Sequence, residues 1–285
     1  MKIVRFLGGL GNQMFQYAFY LSMKRKFASV KADLTEFEGY DLHNGFELER
    51  LFPITLDKAA PFVVKLYDPH HRSWLIRKLR RTTGLKHAFY EEKALFQYDP
   101  NPFEDLNSRL YWGYWQNERY FSKIEDKLRK DFQFKLPLDE RNQSVLQQIQ
   151  SSNSVSIHVR RGDYLHNELL GGICGSEYYR RAINTMVEKT ANAVFFVFSN
   201  DMAWCQSNLN LPQAHFVSWN HGDQSYMDMQ LMSHCKHNII ANSSFSWWAA
   251  WLNAYAHKTV IAPARWTNDP THSVSDIIPS QWITL

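Results

Sequence analysis

The chain has 285 residues, with 32 Lys and Arg against 28 Asp and Glu, for a formal net charge of +4. Hydrophobic residues make up 45% and charged residues 21%, which excludes disorder as the main state. With 12 Gly and 10 Pro, a fibrous or linker-rich chain is excluded too, and the mild basic excess permits a nucleic-acid partner without requiring one. The length suggests about two domains. Aromatic residues are in excess at 15%. They suit a large core, and they also suit flat ligands such as bases and sugars.

The first half opens with a strand, KIVRF (2–6), a glycine loop, GGLGNQ (8–13), and a helix, MFQYAFYLSMKRKFA (14–28). VKADL (30–34) reads as a second, parallel strand. The stretch 36–110 mixes turns, aromatics and helical pieces and gives no clear assignment. Within it, 65–87 holds seven Lys or Arg and one acid, with Trp74, Leu75, Ile76 and Leu79 interleaved. Such a run suits either an anionic partner such as a lipid surface, or a solvated helix face. Residues 116–150 read as helical, broken by LPLDE (136–140).

From residue 154 the pattern is regular. SVSIHVR (154–160), AVFFVFS (193–199), HFVSW (215–219), NIIAN (238–242) and TVIAP (259–263) alternate with the helical stretches 176–190, 225–236 and 246–256. Strands alternating with helices imply a parallel sheet, and near-continuous apolar strands imply a sheet covered on both faces. A domain boundary is expected near 150, where QQIQSSNS precedes the strand carrying His158.

The three cysteines, Cys174, Cys205 and Cys235, are far apart and odd in number, and they read as reduced thiols. The start lacks a signal-peptide pattern, and no run approaches the ~18 apolar residues of a membrane helix. A cytoplasmic protein is expected.

Four loops at strand ends carry candidate chemistry. In Gly8-Gly9-Leu10-Gly11-Asn12-Gln13, glycines let backbone approach a ligand, and two amides at a helix start can meet sugar hydroxyls. The loop fails the dinucleotide fingerprint, since position 14 is Met14, and it fails the P-loop pattern. His158-Val159-Arg160-Arg161-Gly162-Asp163-Tyr164 ends a strand at the carboxyl edge, where α/β sheets bind ligands. A guanidinium fork matches phosphate oxygens. Alternation sends Arg160 and Arg161 to opposite faces, one for ligand and one bracing the loop, with Asp163 as a possible partner. Asn242-Ser243-Ser244-Phe245-Ser246-Trp247-Trp248 joins a strand to a helix, so serines can cap the helix and leave N–H groups for a second phosphate. Phe198-Ser199-Asn200-Asp201 closes another strand. Trp247, Trp248 and Trp251 read as core. Asp228, on a helix among apolar neighbours, can accept from guanine N1–H and its amine, or simply face solvent.

Metal signals are poor. His234-x-x-His237 lacks a carboxylate partner, and no Asp-x-Asp occurs. Arginine and helix N-termini would then have to neutralise a diphosphate.

Taken in order, GGLGNQMFQYA (8–18), HVRRGDY (158–164), FSND (198–201) and NSSFSWWAAWLN (242–253) resemble the bacterial α-1,2-fucosyltransferases of glycosyltransferase family 11, over residues 2 to about 266. The resemblance implies an α/β GT-B fold, two Rossmann-like domains facing across a cleft. The expected limits are 1–150 for an acceptor-side domain and 151–285 for a GDP-fucose domain, with the tail 267–285 packing back on the first. It implies GDP-β-L-fucose as donor, a galactoside acceptor, inversion to an α-linkage and neither metal nor other cofactor. His158 and Asp228 would contact guanine, and Arg160 the β-phosphate, with Arg161 beside it. Ser243, Ser244, Phe245 and Ser246 would line the phosphate and fucose site, and Asn12 would lie near the fucose and acceptor. Arg160 and Asn12 are the catalytic expectations; Asp163 and Glu168 are candidates for a base or for loop support. Rival readings are a GT-B fucosyltransferase of another linkage, a non-catalytic carbohydrate-binding protein and, from 65–87, a nucleic-acid binder.

Overall fold

In the computed structural model, KIVR forms β1 (Lys2–Arg5), buried at all four positions as a strand covered on both faces must be. Residues 1–39 and 43–285 are described. Gly8 turns the chain at φ +76°, where a side chain would be strained and would also strike the Asn12 amide. α1 (Leu10–Lys26) starts earlier than the expected helix, so Asn12 and Gln13 belong to its first turn rather than to a loop. Phe19 of α1 stacks on Trp115 with ring centroids 4.1 Å apart.

β2 (Val30–Asp33) pairs in parallel with β1, as expected. The unassigned stretch contains the short α2 (Leu48–Leu51), α3 (Pro61–Tyr67) and α4 (Trp74–Thr82). β3 (Phe89–Glu91), α5 (Asn101–Glu104) and β4 (Arg109–Trp112) follow. Among the described residues, β2-β1-β4-β3 make a four-stranded sheet, parallel throughout. β3 and β4 are FYE and RLYW, too short and too charged to show a period. α6 (Glu125–Asp131) lies close to the end of this first unit, Met1–Lys135.

The second unit, Leu136–Leu285, opens with α7 (Glu140–Gln150). There follow β5 (Asn153–Val159), α8 (Ser176–Lys189), β6 (Ala193–Ser199), α9 (Met202–Asn208) and β7 (Ala214–Val217). α10 (Tyr226–His234), β8 (His237–Ile239), α11 (Ser244–Leu252), β9 (Val260–Ala262) and β10 (Ile283–Thr284) complete it. The strand order is β10-β9-β8-β5-β6-β7, all parallel. Odd-numbered β5 residues Val155, Ile157 and Val159 pack with Phe195, Val197 and Ile239 against Tyr179, Ile183 and Met186 of α8. The even-numbered face is more polar: Ser156 accepts from Asn238 at 2.7 Å, and Asn238 accepts from Asn253 at 2.7 Å. Strand alternation puts His158 on that second face.

The division falls at 135/136, ahead of the expected 150. α7 belongs to the second unit because it packs on α10, and Asn142 and Asn220 exchange amide hydrogen bonds at 2.9 Å in both directions. The run QQIQSSNS at the expected boundary is the end of α7 and the start of β5. The tail 267–285, expected on the first domain, is also part of the second unit. β10 extends the sheet beside β9, and the Trp247 indole donates to the Ile277 carbonyl at 2.8 Å. Trp247, Trp248 and Trp251 are buried core, as expected. No helix among the described residues is long and apolar enough to cross a membrane.

Candidate active site

Three of the four motif loops meet at the carboxyl edge of the second sheet. β5 delivers His158, which is buried, with its ring centroid 5.7 Å from that of Phe245 in the first turn of α11. Burial, reinforced by the Arg160 charge, pushes the imidazole down to about 3, so the ring is neutral at physiological pH. Its Nδ1 is buried and has no hydrogen-bond partner, a state that costs free energy until a ligand or water meets it.

The two arginines diverge, as alternation required. Arg161 Nε reaches Asp201 at 3.1 Å, and its guanidinium lies 4.4 Å from the Trp204 ring centre, so Arg161 braces the loop. Asp201 also caps α9 by accepting from the Trp204 N–H. Arg160 is half-buried and offers its fork to Asp163, Nε to Oδ1 at 2.8 Å and Nη2 to Oδ2 at 2.9 Å. That is the two-point geometry a phosphate would take. Asp163 therefore acts as the counter-ion of Arg160 in the free protein, which serves loop support better than proton abstraction. Glu168 is exposed on the same loop, and its main-chain carbonyl accepts from the Asn268 amide at 2.8 Å.

Sequence reasoning missed two supports here. Asn200 accepts from the Arg161 and Gly162 N–H groups at 3.0 and 3.3 Å, which fixes the turn after β5. Tyr164 donates to the Asn242 carbonyl at 3.3 Å, tying this loop to the one before α11, and burial pushes its phenol up to about 12. The FSND motif contained the Asn200 signal. Tyr164 ends the HVRRGDY motif but gave no sign of its partner.

At α11 the serines differ from one another. Ser243 precedes the helix but makes no capping bond, so the first-turn N–H groups are not spent on it. Ser244 and Phe245 are partly exposed, whereas Ser246 is fully buried and its hydroxyl turns back to the Ala241 and Ser243 carbonyls. Ser246 thus supports the turn and does not line an open site. Asp228, in the first turn of α10, accepts from Asn220 at 2.7 Å. Burial pushes its carboxyl up to about 7, and the Asn220 bond only partly opposes this. Asn142 in turn holds Asn220, a buried amide relay with no sequence motif. His234 and His237 are engaged separately, with the Gln230 carbonyl and the Thr259 N–H, and form no pair.

In the first unit, Asn12 accepts from Gln116 at 2.7 Å. Gln13, expected to face ligand, is fully buried instead. It donates to the Gly8 and Gly45 carbonyls, both at 2.8 Å, and accepts from the Glu47 N–H at 2.9 Å. Gln13→Ala strands all three backbone groups and should lower unfolding free energy by about 2–4 kcal/mol in urea titrations. A change within about 0.5 kcal/mol, the range of a surface substitution, would contradict this role.

The whole chain, residues 1–285, matches the family described as Glycosyl transferase family 11. It belongs to glycosyltransferase family 11. An α-1,2-colitosyltransferase of Escherichia coli is 36% identical, across 99% of this chain and 98% of that one. The human galactoside α-(1,2)-fucosyltransferase 1 is 28% identical over 86% of this chain, which spans 63% of the human enzyme. Among solved structures, the Bradyrhizobium fucosyltransferase NodZ aligns with a TM-score of 0.51 at 11% identity, covering 87% of this chain and 92% of that one. Fold likeness of that kind places the family 11 enzyme in the GT-B class, in agreement with its two parallel Rossmann-like sheets.

Proposed function

We propose that this glycosyltransferase moves L-fucose from GDP-β-L-fucose to the 2-hydroxyl of a terminal galactoside, with inversion and without a metal ion. The observation that carries the reading is Arg160 at the end of β5. Among the described residues its accessible fork is paired with one surface carboxylate, in the loop that Tyr164 ties to the start of α11. A surface pair of this kind is worth about 0–1 kcal/mol, so an incoming diphosphate can displace or share Asp163 at little cost.

In the proposed reaction a lone pair on the acceptor oxygen forms the new bond to fucose C1, on the face opposite GDP. The bond from C1 to the phosphate oxygen breaks, and its electron pair stays on the β-phosphate. Arg160 and the first-turn N–H groups of α11 offset the charge that develops there. With oxocarbenium character on the sugar, the acceptor proton leaves late, to water, so no strong base is required. Neutral His158 offers its unpartnered Nδ1, and Asp228 its carboxylate, to guanine. Asn12, oriented by Gln116, is assigned to the fucose and acceptor side.

A second reading has its own support, the 36% identity to an α-1,2-colitosyltransferase. Colitose is fucose without its 3-hydroxyl, so the two readings share linkage and differ in one donor hydroxyl. A site that hydrogen-bonds a hydroxyl discriminates strongly against its absence, whereas a site built for the deoxy sugar rejects the hydroxyl only weakly, by about 100-fold. Transfer from each donor to a galactoside, followed to the linkage formed, tests both readings.

A further inference from the structure

The basic stretch 65–87 plays no part in the site described above, and its geometry is specific. α4 turns one side inward: Ile76 and Arg80 are buried. Arg80 is spent on the main chain at the end of α3 and just beyond, donating to the Leu66 carbonyl at 2.9 Å, the Lys65 carbonyl at 3.1 Å and the Asp68 carbonyl. The one acid of the stretch, Asp68, faces inward as well, accepting from Arg5 at 2.9 Å. Its charge therefore does not offset the outer face.

On that outer face Trp74, Arg77, Lys78, Arg81 and Thr82 line one open pocket of about 350 Å³. Arg77, Lys78 and Arg81 are exposed and have no ion-pair partner among the described residues. Trp74 and Leu75 stand on the same helix, 73% and 50% exposed, and Phe62 on α3 is 55% exposed. Solvated helix faces commonly carry charges, but an unpartnered Trp–Leu pair beside three unpaired cations is costly to leave in water. Arginine and lysine around an exposed tryptophan match an interface of anionic headgroups over acyl chains.

We propose that the outer face of α4 is a docking surface for an anionic lipid bilayer, with Trp74 and Leu75 entering the headgroup boundary and Arg77, Lys78 and Arg81 meeting lipid phosphates. A nucleic acid would satisfy the cations but leave Trp74 and Leu75 exposed, which favours the bilayer.

The test is flotation of the full-length protein with phosphatidylcholine vesicles, with and without phosphatidylglycerol. Binding is expected only with the anionic lipid and should weaken with added salt, which screens charges beyond about 10 Å at 0.1 M. Arg77→Gln with Lys78→Gln and Arg81→Gln should lower partitioning by about 100-fold, from roughly a fivefold contribution per residue. Trp74→Ala should lower it by about tenfold at unchanged charge. Arg80 stays untouched because it holds the helix in place, and unchanged melting of the variants confirms that they fold. Equal binding to both vesicle types, wild-type binding by the triple variant, or binding to duplex DNA with none to vesicles would each overturn the proposal.

Discussion

Arg160→Ala should lower sugar transfer by about a thousandfold at saturating donor, with thermal melting close to wild type. The size follows from the part proposed for the guanidinium. Charge grows on the β-phosphate as the C1–O bond breaks, and removing one preorganised donor from such a site costs about 100- to 1000-fold, with transferring-group arginines at or above that range. The fold is spared because Arg160 is partly exposed and contributes a surface pair with Asp163 and a distant contact with the Tyr164 ring. Arg160→Lys keeps the charge but loses the fork, so it should fall between the two. Asp163→Asn should be far milder, since in the proposed role Asp163 orients the free arginine and yields to, or shares it with, the donor phosphate. Turnover by the alanine variant within about tenfold of wild type would remove Arg160 from the chemistry.

Asp228→Asn should weaken GDP binding by about 100-fold above pH 7 and remove the part of its pH dependence that the carboxyl supplies. A carboxylate accepting from guanine N1–H and its amine makes two charge-assisted bonds, whereas the Asn amide matches that edge only in part. In the free protein burial places the Asp228 carboxyl at about 7, so the proton must leave before guanine binds. Wild-type affinity should therefore rise about tenfold per pH unit towards pH 7 and level off above it. Stability carries the opposite sign. The folded pKa lies above the unfolded value of about 3.9, so the folded state holds the proton longer. That contribution is full below pH 4 and is lost as pH rises towards 7. His158 works the other way in an overlapping window. Burial takes its pKa from the ordinary 6.5 down to about 3, so its contribution is present above pH 6.5 and lost as pH falls towards 3. The difference between wild type and Asp228→Asn isolates the carboxylate. GDP titrations from about pH 5 to pH 8 decide the matter; a flat wild-type profile would contradict the assignment of Asp228 to guanine.

The second unit was legible because its strands are long apolar runs that end in motif-bearing turns. β5 and β6 are each seven residues and almost wholly buried, which fixed both the sheet and the position of HVRRGDY at its edge. The first unit was not legible beyond β2, because β3 and β4 have three and four residues and their partners lie far away in the chain. Propensity could not separate α7 from the helix before it, since what assigns it to the second unit is the Asn142–Asn220 contact across 78 residues. Residue types were read better than orientations. His158 and Phe245 lie side by side at the carboxyl edge, yet Gln13 and Ser246, polar residues of the same motifs, face inward. A spacing pattern does not distinguish an amide that greets a sugar from one that closes a turn, and the backbone carbonyls of Gly8 and Gly45 settle that question only in three dimensions.

The measurement closest to the central claim is transfer to lactose and a small panel of galactosides from GDP-fucose and from GDP-colitose, with EDTA present and the product linkage read by nuclear magnetic resonance. The expected product is an α-1,2-linked fucoside, formed in EDTA, with GDP-fucose preferred over GDP-colitose. Hydrolysis of GDP-fucose in the same tubes separates a wrong acceptor from a wrong donor. A preference for GDP-colitose, a linkage other than α-1,2, or transfer that EDTA abolishes and added metal restores would contradict it.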